Sequence, residues 1–144
     1  MLRSGGFTLV ELVVIILLLG VLSVVVLPRF FKVSDYANRV AYEETASAVR
    51  YAQKLAVASG CDVQVSISGN SYALQQHATD CTSGAFATIG GHPVNSGSFD
   101  GVTLVSTPTS FVFDPMGRSS SGASISVGSS VFSVVAETGY VDAP

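Results

Sequence analysis

Residues 7–27 read FTLVELVVIILLLGVLSVVVL, an apolar run that contains one charged residue, Glu11. If this run is helical, a rise of about 1.5 Å per residue gives it a length of about 32 Å, close to the roughly 30 Å hydrocarbon core of a bilayer. Of the whole chain, 48% of the residues are hydrophobic and 12% are charged, against about 25% charged in typical soluble domains. This apolar excess is concentrated in residues 7–27, and the rest of the sequence is like that of an ordinary small domain. The run is therefore expected to meet lipid or another apolar surface.

A cleaved secretory signal and a retained membrane helix are the two interpretations of such an N-terminus. A secretory signal has an apolar core of about 7 to 15 residues followed by a small-residue cleavage site. This run is longer, and Pro28 and Arg29 follow it. The small residues lie before it, at positions 4–6. The pattern favours a retained helix.

The stretch Gly6-Phe7-Thr8-Leu9-Val10-Glu11 resembles the type III signal of type IV prepilins, in which a short polar leader ends in Gly before an aromatic residue. The resemblance implies cleavage between Gly6 and Phe7 by a prepilin peptidase, followed by N-methylation of Phe7. Arg3 in the leader would stay on the cytoplasmic side. Three parts are expected: a prepilin leader over 1–6, a transmembrane or filament-core helix over 7–28, and a head with an amphipathic half-helix and a β-sheet over 29–144.

Glu11 is unusual because a carboxylate inside a membrane segment is costly and commonly has an assigned partner. Cleavage would create one, since the new α-amine of Phe7 lies four residues earlier, one helical turn away. The two charges could pair within one subunit or between neighbours, and the resemblance implies pairing between subunits during assembly. The alternative is an ordinary single-pass anchor in which Glu11 lies near the membrane interface.

Gly20 and Pro28 are predicted weak points of the first helix. Proline removes a backbone hydrogen bond and kinks a helix, and glycine lowers helix propensity. The resemblance implies that this stretch can lose order inside a fibre.

An amphipathic helix is predicted beyond Pro28, with Gly60 as its C-terminal cap after Ser59. Its narrow apolar stripe is suited to packing on a sheet and consists of Ala37, Ala41, Ala48, Ala52, Leu55 and Ala56. Together with residues 7–28 it makes one kinked helix from Phe7 to about Ser59.

Strands are predicted after Gly60. Alternating residues at 63–67 and 72–74 flank Gly69-Asn70, which predicts a β-hairpin. A polar loop is expected over 76–98, followed by strands at 102–105, 111–113, 125–127 and 131–136. The predicted fold is α+β: a long kinked N-terminal α-helix, transmembrane in its first half, whose second half packs on a small antiparallel β-sheet head, as in the pilin fold.

Three segments of the head resemble the minor-pilin and pseudopilin group, which includes type II secretion minor pseudopilins and FimT-like pilins. They are RYAQKLAVASGCDVQVSI over 50–67, FVFDPMGRSS over 111–120 and VVAETGYV over 134–141. Within this group the minor pilins of the mannose-sensitive haemagglutinin (MSHA) pilus are expected to be nearest. The resemblance implies a minor subunit.

Cys61 and Cys81 are the only cysteines. A head exported past the inner membrane meets an oxidising compartment, which favours a disulfide. It would stabilise the fold by about 3 kcal/mol in the chain-entropy model. Two unpaired buried thiols are the alternative. His77 and His92 share the loop with Cys81, but the spacing matches no zinc pattern, so neither a metal nor a cofactor is expected.

Catalysis and nucleic-acid binding are not expected. The head has no nucleophile elbow and no phosphate loop, so no catalytic residue is predicted and the chain is a candidate peptidase substrate, not an enzyme. After Gly60 the only Lys or Arg is Arg118, against six carboxylates, a net charge of minus five. Such a surface repels phosphates, so no nucleic acid is expected as a partner.

The predicted function is that of a structural subunit, a minor pilin of a type IV pilus or related filament. The expected partners are other pilin subunits, a prepilin peptidase, an inner-membrane assembly platform, and membrane lipid before assembly. The expected location is the bacterial inner membrane, crossed once with the head in the periplasm, and then a pilus at the cell surface or a periplasmic filament. The alternatives are a type II secretion pseudopilin and a DNA- or surface-binding tip pilin.

Overall fold

A computed structural model describes residues 6–30, 33–91 and 94–144, with the backbone alone at 24–30 and 33. The chain divides into two compact units, Met1–Val33 and Ser34–Pro144. The described part of the first unit is mainly an apolar helix. The second, called the head below, carries the hydrophobic core.

Helix α1 spans Leu9–Phe30. It begins two residues later than the sequence predicts, and it continues through both Gly20 and Pro28. The predicted kink at these two residues stays a prediction. The junction with the next helix is at residues 31 and 32, which lie outside the described residues. The prediction of one continuous helix from Phe7 to about Ser59 therefore stays a prediction.

Helix α2 spans Val33–Ser59 and ends as predicted at Gly60. The φ of Gly60 is +68°, and its N–H donates to the carbonyl of Ala56 at 3.0 Å. This is the left-handed cap that glycine adopts without steric cost. The predicted apolar stripe is buried. Ala37 and Leu55 are partly buried, and the four fully buried members are Ala41, Ala48, Ala52 and Ala56.

Nine strands follow in the described part of the head. They are β1 (Val63–Ser68), β2 (Ser71–His77), β3 (Phe86–Thr88), β4 (Ser96–Ser98), β5 (Leu104–Thr107), β6 (Ser110–Phe113), β7 (Ala123–Val127), β8 (Ser130–Val134) and β9 (Val141–Asp142). The predicted first hairpin is confirmed: Ser68 pairs with Ser71 across Gly69-Asn70, and Gly69 has a φ of +63°.

These strands form two antiparallel sheets instead of the single sheet expected from the sequence. The first has the order β3-β2-β1-β6, with β4 also paired to β2, and the second has the order β5-β7-β8-β9. The prediction of a loop over 76–98 was wrong in part, because β3 and β4 lie within it and pair with opposite ends of β2. Both are three residues long and β4 reads Ser-Gly-Ser, so neither has an alternating pattern.

The core of the head lies between α2 and the inner faces of the strands. Its largest fully buried side chains include Phe111, Phe113 and Phe132. The Tyr42 ring of α2 meets the Phe132 ring of β8 edge to face at 5.5 Å between centroids. The alanine stripe suits this arrangement, since short side chains let the helix backbone approach the strands closely.

Candidate functional site

The start of α1 is built around Thr8. Residues 6–8 are non-helical and exposed. The N–H of Glu11 donates to Thr8 Oγ1 at 3.3 Å, and the N–H of Leu12 donates to the Thr8 carbonyl at 3.2 Å. Thr8 is therefore the N-cap, and Glu11 is the third helical residue after it.

Thr8 is a capping residue that was not among the residues predicted for this site. The pattern Thr8-x-x-Glu11 is the spacing of a capping box, in which an acidic third residue follows a hydroxyl N-cap. It was visible in the sequence. A carboxylate at this position is also favoured by the positive end of the helix dipole. The helix cap and the helix dipole therefore both favour Glu11 at this position. Its pairing with the amine of Phe7 stays a prediction.

The described side chains of α1, at positions 9–23, include apolar groups on every side of the helix. All large hydrophobic residues from position 9 to position 22 are 40 to 80% exposed, and the ring of Phe7 is 76% exposed. Gly20 lies in a shallow groove lined by Ile16, Leu17 and Val21. Within the residues that the structure describes, no helix reaches the length and apolarity needed to cross a membrane. The transmembrane role of residues 7–28 stays a prediction.

Cys61 and Cys81 form a disulfide, as predicted. The bond joins the residue after the cap of α2 to the loop that follows β2, and the N–H of Asp62 donates to the Cys81 carbonyl at 3.3 Å. The alternative of two unpaired thiols is thereby excluded.

The disulfide loop is also ordered by Asp80. Its carboxylate accepts hydrogen bonds from the Ser83 hydroxyl at 2.6 Å and from the N–H groups of Thr82 and Ser83 at 2.9 and 2.7 Å. The hydrogen bond from the Ser83 hydroxyl is the largest of the interactions that lower the pKa of Asp80 below its usual value. His77 lies at the base of this loop, with Nδ1 2.7 Å from the Gly84 carbonyl oxygen and its ring stacked on Phe86. His92 lies outside the described residues.

Two turns of the head meet at Gln53 of α2. Gln53 Nε2 donates to the carbonyl of Gly117 at 2.8 Å and to that of Thr138 at 3.2 Å. The two turns, residues 114–118 and 137–139, are called the turn pair below. They lie inside the segments 111–120 and 134–141, which resemble the minor-pilin and pseudopilin group. These two segments therefore help to attach the sheets to α2.

Asp114 organises the first of these turns. Its carboxylate accepts from the N–H groups of Met116 and Arg118, both at 2.9 Å, and forms an ion pair with the Arg118 guanidinium at 2.8 Å. Desolvation raises the pKa of Asp114, but the hydrogen bonds and charge of Arg118 outweigh it and hold that pKa below its usual value. Arg118, the only Lys or Arg residue after Gly60, is therefore engaged within the head.

Gly139 makes the closest approach in the second turn. Its φ is +64°, and a Cβ there would overlap the Gly117 carbonyl oxygen. A groove of about 770 Å³ opens beside the turn pair, with Asp62, Arg118 and Glu137 among its lining residues. In the described ranges no group of three or more His, Cys, Asp or Glu residues is arranged to hold a metal ion.

A family model described as Type II transport protein GspH matches residues 41–139. The chain belongs to the GspH family. The match takes in most of α2, the disulfide and the turn pair, which are the features that build the head. The predicted class, a type IV pilin-like minor subunit or pseudopilin, is confirmed, while the placement near MSHA minor pilins stays a prediction.

A curated relative links the chain to a pilus. The Type IV narrow pilus major component PilA5 of Thermus thermophilus is 43% identical over 54 residues, which make up 38% of this chain and 47% of that protein. The match thus spans about half the length of the relative.

Solved structures confirm the fold. The type IV minor pilin FimU of Pseudomonas aeruginosa has a TM-score of 0.55 at 16% identity, covering 74% of this chain and 91% of that chain. The minor pseudopilin EpsH of Vibrio cholerae has a TM-score of 0.58 at 14% identity, covering 74% and 94%. The pilin fold expected from the sequence is therefore present.

Proposed function

We propose that the chain is the precursor of a minor filament subunit, cleaved by a prepilin peptidase between Gly6 and Phe7 and assembled through α1. The observation that carries the proposal is the exposure of apolar side chains around the whole circumference of α1 over positions 9–22. A helix that is hydrophobic on all sides needs an apolar surrounding.

The apolar surrounding of α1 would change during assembly. Burying one Val, Leu or Ile side chain is worth about 1.5 to 3 kcal/mol, and the segment has many such residues. The bacterial inner membrane would hold α1 first, with the head in the periplasm, and an assembly platform would then move it into the core of a filament. Both surroundings are apolar, so the transfer need not expose α1 to water.

The cleavage site is accessible for this processing. Gly6 and Phe7 are exposed and precede the first helical turn, and proteases act on exposed non-helical segments. Cleavage would leave Phe7 as the N-terminus, the position of the proposed N-methylation, and the Thr8 cap would keep Glu11 in the first turn beside the new amine.

The chain would act as a structural subunit and not as an enzyme or a nucleic-acid binder. GspH-type and pilin proteins are subunits of assemblies. The head has a net charge of minus five after Gly60, and Arg118, the one Lys or Arg residue there, is paired with Asp114. A DNA backbone would meet repulsion at this surface.

The filament could belong to a type IV pilus or to a type II secretion system. The PilA5 match favours the pilus, and the GspH family description favours secretion. Deleting the gene separates the two: loss of surface pili supports the first, and retention of normally secreted proteins inside the periplasm supports the second.

Mass spectrometry of the mature N-terminus tests the processing step. We expect a chain that begins at N-methylated Phe7. The variant Gly6→Leu should accumulate as the longer precursor, whereas Ser4→Ala should be processed normally. A mature chain that begins elsewhere, or normal processing of Gly6→Leu, would contradict the proposal.

A further inference from the structure

The outer face of the first sheet carries three rows of uncharged side chains. The residues that alternate with them along the strands, such as Val65 and Leu74, are buried in the core, so the rows point away from it. The first row crosses β6, β1, β2 and β3 with Val112, Gln64, Gln75 and Thr88. The second crosses β6, β1, β2 and β4 with Ser110, Ser66, Ala73 and Ser96. The third crosses β1, β2 and β4 with Ser68, Ser71 and Ser98. We call these eleven residues the neutral face.

The neutral face is polar without being charged. Seven of its eleven side chains carry a hydroxyl group and two carry an amide, and the other two are Val112 and Ala73. All eleven residues are exposed or half-buried. Protein surfaces ordinarily have charges of both signs interspersed. The outer face of the second sheet differs from the neutral face, because it carries the Asp142 carboxylate and the exposed side chains of Val105 and Val131.

Two amides lie side by side in the middle of the first row. Gln64 of β1 and Gln75 of β2 are directly opposite each other, and both are half-buried. Within the described ranges neither side chain makes a hydrogen bond, whereas the amides of Gln53 and Gln76 elsewhere in the head both do. Each amide has two N–H donors and a carbonyl acceptor. The pair therefore presents adjacent donors and acceptors to a ligand.

An aromatic pair and a groove adjoin the neutral face at one end. His77 of β2 is opposite Phe86 of β3, on the same side of the sheet as Gln75, and the two rings stack with centroids 4.1 Å apart. The groove of about 770 Å³ beside the turn pair has Val112 and Asp62 among its lining residues, so it continues the face past the start of β1. An aromatic ring can pack against the C–H groups of a sugar ring, and a carboxylate accepts hydrogen bonds from sugar hydroxyls.

The chemistry of the three rows, all of whose residues the structure describes, disfavours other classes of partner. Protein interfaces are centred on aromatic, Met and Arg side chains, and the rows contain none of these. Nucleic acids and anionic lipids are bound by Lys and Arg, which are also missing from the rows. Sugar hydroxyls are uncharged and both donate and accept hydrogen bonds. They match the amides and hydroxyls of this surface.

We propose that the neutral face binds a neutral polysaccharide. Neighbouring strands are about 4.8 Å apart and successive residues on one side of a strand about 6.8 Å apart, so the three rows cover about 14 Å in each direction. Such a surface is open and extended, which suits a stretch of a polysaccharide chain better than a single enclosed sugar. The proposal does not rest on the filament role, because binding is a property of the head itself.

Binding of the purified full chain to insoluble polysaccharides tests the proposal. The chain is kept in a polyoxyethylene detergent, because the sugar headgroup of a maltoside would compete for the face. The neutral probes are cross-linked dextran, cellulose and cross-linked galactomannan, and the carboxymethylated form of each is its anionic counterpart. We expect at least one neutral probe to deplete the chain from solution. Its carboxymethylated form should deplete the chain less, because the strands and loops after Gly60 have a net charge of minus five. No depletion by any neutral probe, or equal depletion by the anionic forms, would overturn the proposal.

A matched pair of double variants locates the binding. Gln64→Ala with Gln75→Ala should raise the dissociation constant for the bound probe about tenfold, the factor that two ordinary hydrogen bonds supply together. Ser124→Ala with Ser133→Ala is the control, because these residues are likewise opposite each other, on the outer face of the second sheet. It should bind like wild type. Unchanged binding in the Gln variant, or an equal loss in the Ser variant, would contradict the assignment.

Thr88→Ala gives a second measurement at a position that is exposed and outside the core. It lies at the end of the same row as the two amides. This variant should raise the dissociation constant about threefold, since one hydroxyl is lost. The same constant as wild type would count against the proposal.

Salt separates a neutral ligand from an ionic contact. Interactions between exposed charges are screened beyond about 10 Å at 0.1 M salt, so binding through uncharged groups should be the same at low and high NaCl concentrations. Binding that disappears at high salt would overturn the proposal. Sedimentation excludes self-association as the cause. A dimer that the polysaccharide leaves intact and the Gln variant dissociates would assign the face to a second copy instead.

The filament role and the neutral face fail separately. A chain that is missing from sheared filaments but binds the probe, with the loss in the Gln variant, refutes the first proposal and supports the second. A chain that is present in filaments and binds none of the neutral probes does the reverse.

Discussion

Glu11 illustrates how one residue can have two physical roles. Its N–H is bonded to Thr8 Oγ1, so it belongs to the helix cap, and its carboxylate is one turn from the residue that would carry the new α-amine. Glutamine also serves as the third residue of a capping box but carries no charge. Variants at the two positions therefore separate the cap from the charge.

We expect Glu11→Gln to be cleaved normally and to enter filaments poorly, because the amine loses its partner. Thr8→Val should cost the start of α1 about 1 kcal/mol through loss of the cap, with a weaker effect on assembly than Glu11→Gln. The measurement is the ratio of chain in sheared filaments to chain in membranes. Wild-type incorporation of Glu11→Gln would show that the charge is not needed.

Tyr72 predicts a pH dependence of stability. Its hydroxyl donates to Glu44 Oε1 at 3.2 Å, and its side chain is 3% exposed. Burial, and then the charge of Glu44, raises the pKa of Tyr72 to about 12 from 10.0. Between these values the phenol stays protonated in the folded chain and ionises in the unfolded chain, so the free energy of unfolding falls as the pH rises from about 10 to about 12.

The comparison with Tyr72→Phe isolates this effect. The advantage of wild type over Tyr72→Phe should shrink by about 2 kcal/mol across that pH range, measured by denaturant unfolding of the full chain in detergent. Tyr36→Phe, at an exposed tyrosine, should track wild type. A constant gap between wild type and Tyr72→Phe would contradict the assigned cause.

Among the elements, the disulfide and the turn pair attach different parts of the sheets to α2. The disulfide connects the end of α2 to the loop after β2. The turn pair connects the later strands to the C-terminal part of α2 through Gln53. Each attachment makes its own prediction.

Replacing both Cys61 and Cys81 by Ser should lower the free energy of unfolding by about 3 kcal/mol, because the unfolded chain regains the entropy of the closed loop. Guanidinium titration of the full chain checks this. Wild type treated with a reductant should match the double variant. A loss of less than about 1 kcal/mol would mean that the loop is held by Asp80 and the Asp62 contact instead.

Gly139→Ala should be more destabilising than its backbone dihedral alone requires. Gly101 has a φ of +73° with open space around it, whereas Gly139 has a φ of +64° and abuts the Gly117 carbonyl. We expect Gly101→Ala to cost about 1 kcal/mol and Gly139→Ala to cost at least about 2 kcal/mol more. Thermal unfolding of both variants compares them, and equal costs would contradict the close approach of the two turns.

At the scale of the whole molecule, the division into two compact units predicts that the head folds and is stable without α1. The buried hydrophobic core, from Ala41 to Val141, lies in the unit Ser34–Pro144. We expect a fragment of residues 34–144 to be monodisperse without detergent and to unfold cooperatively, since it contains that core and the disulfide. Circular dichroism melts of the fragment and of the full chain in mild detergent should give midpoints within a few degrees. A fragment without a cooperative transition would show that the head depends on α1.

Local patterns made several features predictable. The helix of the apolar run, the cap of α2 at Gly60 and the hairpin at Gly69-Asn70 depend on residues that are close in the chain, and all three are present in the structure. The Gly6-Phe7 processing signal stays a prediction. The capping box at Thr8 is equally local, because it depends on two residues three positions apart.

The sequence by itself therefore determined the apolar first helix, the amphipathic α2 with its alanine stripe, the first hairpin and the pilin-like class. Only the tertiary structure decided that the strands form two sheets, that β3, β4 and β9 exist, and that Gln53 holds the turn pair. The physical reason is that strands of two or three residues have no periodicity of their own. They are stable because a neighbouring strand or helix supplies their hydrogen bonds, and those neighbours are distant in the chain.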